Sequence, residues 1–380
     1  MRYLQELEMI AVERGCAGLG ATHAGEFSGL AVTLRDRLDS GAAGKLRFTY
    51  KDPERAADVR NSYPWAQSLL VASWPYMPGS GGPGPSAAGS GRIARFATQN
   101  HYSGLRAALE AVAAQLEADG YRAAVLIDDE RLVDRAAAVR AGVGWHGKSS
   151  MVLDPKYGPW LLLGSVVTDA ALHSGIPMTR DCGKCDACIP ACPTGAIVAP
   201  GILDASLCIA HWTQVAGIIP RRFRMAMGDR LYGCDECLDA CPPGHRVMAS
   251  DPHVMGRVDL VELLATDDET LLRRYEHLYI PRNNPRFVRR NALVALGNSA
   301  AAAEAAGRVA SVDLERIVGV LAGFLGDPDE LYRIHAGWAL GRIGGRVAAA
   351  LLRARLVDEA APEVVHELEH ALGACAGGRD

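Results

Sequence analysis

Apolar residues run almost unbroken through three short stretches of the first half of the chain: Ser68–Trp74, Ala123–Ile127 and Trp160–Thr168. Short runs with little alternation predict strands buried on both faces. Between and around them the spacing turns helical, from about Ser103 to Ala118 and again from about Leu132 to Ala141, where a glycine-rich turn follows. The opening MRYLQELEMIAVERG has the spacing of an amphipathic helix, and its acidic residues are unlike a signal or transit peptide. A Gly/Pro/Ser stretch starting at Pro78 interrupts the pattern. Residues 1–175 therefore read as an α/β domain.

From about Arg257 the chain becomes alanine-rich and helical, and it repeats itself. FVRRNALVALGN (Phe287–Asn298) aligns with LYRIHAGWALGR (Leu331–Arg342), so that Arg289 matches Arg333 and Leu296-Gly297 matches Leu340-Gly341. The offset, 340 − 296 = 44 residues, lies in the HEAT/armadillo range, and a shortened third copy ends at Ala371-Leu372-Gly373. Stacked helix pairs of this kind form a solenoid, which predicts a binding surface more than a reaction site. An unrelated helical bundle is the plain alternative.

The middle region, residues 176–250, changes the picture through its cysteines. Eight of the ten fall between Cys182 and Cys241. Cys182, Cys185, Cys188 and Cys192 form C-x-x-C-x-x-C-x-x-x-C-P, the bacterial ferredoxin run whose fourth cysteine serves the other cluster of a pair. Reciprocity assigns Cys182, Cys185, Cys188 and Cys241 to one [4Fe–4S] cluster. The other takes Cys192, Cys234 and Cys237. Ala240 stands where its next cysteine would be, so Cys208 completes the set. Zinc ribbons and redox dithiols also use C-x-x-C, but they do not call for the triple spacing with a closing proline. Cys16 and Cys375 read as small buried apolar residues.

Charge adds little. A net charge of −4 gives no general attraction to nucleic acid, and no uncharged apolar run of eighteen residues occurs, so the expectation is a cytoplasmic protein without a membrane span. Two local basic segments, Pro220–Arg224 and Pro281–Arg290, supply candidate RNA contacts at Arg222, Arg224, Arg282, Arg286, Arg289 and Arg290. Such arginines can equally be an ordinary solvated face.

Three further motifs carry chemistry of unequal weight. Gly142, Gly144 and Gly147 spell the dinucleotide fingerprint, yet they follow a helix instead of a strand, so the nicotinamide reading is rejected in favour of a tight turn approaching some large ligand. Asp251, His253 and Gly256 spell a cobalamin-type D-x-H-x-x-G, but helices follow it, and it reads as an accident. Asp128 ends an apolar strand run, where sites of α/β folds collect. Asp129 and Glu130 beside it would help keep one carboxyl protonated.

Taken together, Ile127-Asp128, DRAAAVRAGVGWHGKSS (Asp134–Ser150), CGKCDACIPACPTGAIV, LDASLCIAHWTQ and GDRLYGCDECLDACP resemble, in order and spacing, the epoxyqueuosine reductases, cobalamin-dependent iron–sulfur enzymes of tRNA modification. The resemblance runs from about Asp52 to Gly345. It implies a multidomain α+β protein. Residues 1–175 would be an α/β cobalamin domain like that of reductive dehalogenases, residues 176–250 a ferredoxin-like two-cluster domain, and residues 257–380 a HEAT-like solenoid.

The resemblance also implies base-off cobalamin without a histidine ligand, which removes His253, and it makes Asp128 the proton donor. Corrin contacts carry over to Ser149, Ser150, Met151, Leu163, Ile209, the Cys234–Cys237 loop with Asp235 and Glu236, and, more loosely, Arg55. The partners implied are the tRNA anticodon stem-loop and an external low-potential donor such as flavodoxin or ferredoxin, with the chain a monomer. The sequence departs from the family at Cys241-Pro242-Pro243-Gly244, at Ala216 where some members carry a basic residue near tRNA, and in its Gly/Ser insert. A dehalogenase-like enzyme of small molecules and a non-catalytic electron carrier with a docking solenoid are the competing readings.

Overall fold

The computed structural model describes residues 2–76, 88–248 and 256–376, so most of the Gly/Pro/Ser stretch, and Asp251 with His253, lie outside the described residues. The three sequential regions regroup into two compact units: Met1–Ser80, Gln99–His211 and Asp235–Val254 form one, and Gly81–Thr98, Trp212–Cys234 and Met255–Asp380 the other.

The first unit is built on a four-stranded sheet with the strands in the order Gly18–His23, Ser68–Pro75, Leu161–Thr168, Ala123–Leu126. Every neighbouring pair is antiparallel. The two central strands are buried along most of their length, as their continuous apolar runs require. Ala123–Leu126, expected to be buried, is an edge strand in which Leu126 alone is buried. Leu69, Val71 and Val167 pack with Ala137 and Ala138 of the helix Asp134–Arg140. The helix His101–Ala118 buries Leu105, Leu109, Val112 and Leu116, and Asn100 caps it by accepting from the Ser103 N–H. A Cβ on Gly164 would come within 2.7 Å of Leu109, so this glycine lets helix and strand meet.

The glycines of the turn let the chain pack closely against itself. Gly142 has φ 75°, and a Cβ there would lie 2.5 Å from the Ile176 carbonyl; one on Gly144 would lie 2.5 Å from the Leu153 carbonyl. The turn leads into a hairpin, Trp145–His146 against Val152–Leu153, with Ser149, Ser150 and Met151 at its tip. The unusual Pro243-Gly244 also has a packing reason: the Trp160 indole N–H donates to the Gly244 carbonyl, and a side chain at 244 would strike that ring.

The second unit begins with a small sheet in the order Arg230–Tyr232, Ser90–Ile93, Arg257–Asp259. Arg257–Asp259 is thus a strand where a helix was expected. The helices Arg286–Ala305, Ser311–Leu325, Glu330–Ile343, Gly345–Asp358 and Pro362–Ala376 follow. Gly297 sits against Ala339, and the repeat-equivalent Gly341 against Ala371; a Cβ on either would meet the facing alanine Cβ at 2.7 Å. The recurring Leu-Gly is the close-packing point of successive repeats.

Buried polar side chains bind Trp212–Cys234 to the long helix Arg286–Ala305. Asn291 donates to the carbonyls of Thr213 and Leu231, and Asn298 to those of Arg224 and Gly228. That is why this segment groups with the helices although the cysteine motifs enclose it.

Candidate active site

The loop after the edge strand and the hairpin turn face a common cavity of about 660 Å³ in the first unit. Asp128, Asp134, Arg135, His146 and Ser150 line it, with Arg37 and Tyr50. Asp128 (φ 50°) and Ser150 (φ 66°) both adopt left-handed backbone, a costly conformation for non-glycine residues that concentrates at functional sites. Because the sheet is antiparallel, Asp128 does not reach the cavity through the crevice of a parallel fold. It arrives by a strained turn off an edge strand.

The three consecutive acids are sorted by their partners. Asp129 is held below the usual carboxylate range, chiefly by Arg131, which binds both of its oxygens at 2.7 and 2.6 Å. Glu130 is lowered by Lys51 and Arg55, the latter at 2.6 Å. Asp128 alone is raised, first by burial; Arg135 opposes this and Asp129 adds to it. Although solvent reaches its side chain, Asp128 lines the cavity, and the protein around it favours the neutral form. Burial therefore matters more than the neighbouring like charges.

Asp134, at the start of its helix, is raised well above the ordinary value by burial first and then by Asp128, and its Oδ1 is buried without a hydrogen-bond partner. Arg135, the following residue, donates to the Ser150 carbonyl at 3.3 Å and so ties the helix to the hairpin turn.

Of the residues assigned to cobalamin, Ser150 joins Asp128 in this cavity, and its Oγ is buried without a partner. Ser149 and Ile209 are buried, Met151 and Leu163 half-buried, and none of the four lines it. Arg55 is engaged with Glu130 on the Asp128 loop. Asp235 and Glu236 are half-buried.

The first cysteine set converges. Cys182, Cys185 and Cys241 line a cavity of about 220 Å³. Cys241 is pushed up to about 11 by burial first and then by Cys182, Cys188 and Cys185, while the Gly244 N–H opposes. Cys188 is raised by burial and by Cys182 and Cys185. Four thiols that crowd one another in this way suit a cationic iron cluster, which binds thiolates and would remove the repulsion.

Within the other set, burial raises Cys208, and Cys192 adds to it; the His211 and Ala210 N–H groups at the head of the following helix oppose. Burial also acts on Cys192, but N–H groups at Thr194, Ala196 and Ile197 outweigh it and lower the thiol, the Ala196 N–H reaching Sγ at 3.2 Å. Cys208 and Cys192 thus sense each other. Cys237 lies in the same unit, and Cys234 ends a segment of the second.

The arginine assignments need correction. Arg290 is fully buried and donates to the carbonyls of Val215, Gly217 and Trp212 and to Asn291. Arg224 is 2% exposed, donating to the Ile219 carbonyl and pairing with Glu367. Arg289 binds Asp268 and the Thr266 carbonyl, and its repeat equivalent Arg333 binds Glu359 and the Asp327 and Pro328 carbonyls. These arginines are clamps of the repeat and cannot reach a phosphate. Arg286 pairs with Asp329, while Arg222 and Arg282 are exposed.

Residues 181–244 match the 4Fe-4S double cluster binding domain, and residues 285–373 match HEAT repeats. The chain is 31% identical to the epoxyqueuosine reductase of Vibrio cholerae, over 93% of this chain and 95% of that one. To the epoxyqueuosine reductase of Bacillus subtilis it is 30% identical, over 97% and 95%. A crystal structure of epoxyqueuosine reductase with an epoxyqueuosine-modified tRNA-Tyr stem loop superposes with a TM-score of 0.86 at 28% identity, covering 99% of each chain. Among the described residues no helix is long and apolar enough to cross a membrane. With near-complete coverage in sequence and in fold, the chain belongs to the epoxyqueuosine reductase family.

Proposed function

We propose that this protein reduces epoxyqueuosine to queuosine at the wobble position of tRNA anticodons. The observation that carries the reading is the cavity in which Asp128, alone of three consecutive acids, is pushed toward its protonated form. Removing an epoxide oxygen as water requires a proton at that oxygen, and raising a carboxyl favours the protonated form that can supply it. Arg131, Lys51 and Arg55 absorb the neighbouring charges, so that the cavity presents one acid from this loop.

Cobalamin, when bound, supplies the reducing cobalt that side chains lack. The buried, unpartnered Ser150 Oγ is a polar atom available to the corrin rim. Ser149, Met151, Leu163, Ile209, the Cys234–Cys237 loop and Arg55 complete the set proposed to hold it, base-off. Cys182, Cys185, Cys188 and Cys241 would hold one [4Fe–4S] cluster and Cys192, Cys208, Cys234 and Cys237 another, and these would supply one-electron transfer from an external flavodoxin or ferredoxin. The tRNA stem-loop offers its wobble base from a single-stranded loop, where splaying it out costs little. The chain works as a cytoplasmic monomer.

The test is anaerobic reconstitution with iron, sulfide and cobalamin, followed by reduction in the presence of epoxyqueuosine-containing tRNA. The nucleoside should lose one oxygen by mass spectrometry. Intact substrate with a small organohalide consumed instead would overturn the reading. In Cys208→Ala, iron should fall from about eight to about four per chain, as two-cluster ligation requires; unchanged iron removes Cys208 from the set.

A further inference from the structure

Opening an epoxide and expelling its oxygen as water takes two protons, and Asp128 holds one. We propose that Asp134 holds the second and delivers it through Asp128, so that the two carboxyls act as a two-proton pair inside the cavity. The inference rests on the epoxide-reduction reading above.

Both side chains line the same cavity. Asp134 Oδ1 is sealed from solvent and accepts no hydrogen bond. An ionised oxygen in that position would be desolvated with no hydrogen bond to offset it, which favours the neutral acid although Arg135 opposes this. Burial pushes its pKa up first and Asp128 second, and Asp128 is pushed the same way by burial. The other charged or titratable groups around the cavity do not replace it. Asp129 is neutralised by Arg131, and His146 is lowered by burial, Arg135 and Arg37, leaving a neutral ring in the alkaline range. Arg37, Arg135 and Tyr50 line the cavity as well, and burial lowers Arg140 to about 10.

Two electrons enter from two equivalents of a one-electron, low-potential donor. Breaking the first C–O bond leaves the oxygen as an alkoxide, which takes the Asp128 proton. Breaking the second places the electron pair in the new C=C bond and would expel hydroxide, which takes the proton passed from Asp134 and leaves as water. Hydroxide is a far stronger base than any carboxylate, so this transfer runs downhill even from an acid whose pKa is raised. Solvent reprotonates both carboxyls after product leaves.

The test is the alkaline limb of the single-turnover rate of the reconstituted holoenzyme on epoxyqueuosine-containing tRNA. If both acids must be protonated, the wild-type rate falls with the second power of proton concentration. In Asp134→Asn it should fall with the first power, from a plateau below the limb that is lower by on the order of 10²-fold, the usual scale of general acid catalysis. Iron content, cobalamin binding and tRNA affinity should be unchanged. Asp134→Glu should restore the second-power limb.

A first-power limb in the wild type overturns the proposal, and so does an Asp134→Asn variant with the wild-type limb and rate. Should the Asn variant fail to load its clusters, the wild-type and Glu limbs still decide. A wild-type protein that leaves the epoxide intact overturns the functional reading itself, a result distinguishable from either.

Discussion

The cavity of the first unit and the buried face of the helix Arg286–Ala305 treat several of their buried polar atoms in opposite ways. In the helical unit Arg290 reaches three carbonyls and the Asn291 side chain, and Asn291 and Asn298 reach two carbonyls each, all chain atoms that packing would otherwise leave unmet. In the cavity, Asp134 Oδ1 and Ser150 Oγ have no partner, and two residues hold strained backbone. Partnered burial fixes a fold, because each buried group left unpaired costs about 1–3 kcal/mol. Unpartnered burial lowers stability, and it is retained where a ligand or a reaction supplies the missing partner. The contrast is one of degree, since Arg286 Nε on the same helix is also buried without a partner and Arg282 and Asn283 before it also hold left-handed backbone.

The strongest test of that contrast is Asp128→Asn. The amide keeps the shape and cannot donate a carboxyl proton, so single-turnover reduction should fall by about 10²–10⁴-fold with thermal stability unchanged or improved. A rate near wild type would move the donor elsewhere. Arg290→Met should do the reverse. Leaving the Val215, Gly217 and Trp212 carbonyls unmet should cost about 3–5 kcal/mol in denaturant unfolding of the full chain. A decrease under about 1 kcal/mol would show that the clamp is dispensable.

Acid should weaken the helical unit at a third clamp. Burial would raise Glu359, but Arg333, the Ala361 N–H and Arg355 outweigh it and hold the carboxyl at about 2. A depressed folded value contributes stability above the unfolded pKa of about 4.3, lost as pH falls toward 2; the effect is on the order of 2–3 kcal/mol. Glu359→Gln should flatten that part of the stability–pH curve. The smallest effect belongs to the exposed arginines. Arg222→Ala with Arg282→Ala should lower the salt slope of tRNA binding by roughly 0.7–0.9 for each phosphate no longer neutralised and leave unfolding unchanged. An unaltered slope would place the RNA surface elsewhere.

The cysteine spacing was legible because ligation is written as short intervals along the chain, and the Cys182, Cys185, Cys188 and Cys241 thiols do converge. The repeat was legible as well, since close helix packing demands a small residue at a fixed period, seen at Gly297 and Gly341. Asp128 could be picked out at the end of its strand. The arginines could not be sorted from sequence: Arg282, exposed, and Arg290, fully buried, lie in one ten-residue string, and only the packing of the long helix assigns them opposite roles. What the sequence could not show for Asp134 was its burial, because the first turn of a helix is an ordinary place for an acid until a cavity closes around it.

What the sequence determined by itself is therefore what depends on local spacing: the cysteine intervals, the 44-residue repeat, and the apolar runs of the central strands. Tertiary structure alone decided the protonation bias of Asp128 and Asp134, the grouping of Trp212–Cys234 with the helices, and which arginines face water. Each of these turns on desolvation and on partners distant in the chain, and both are set by what the folded chain brings together.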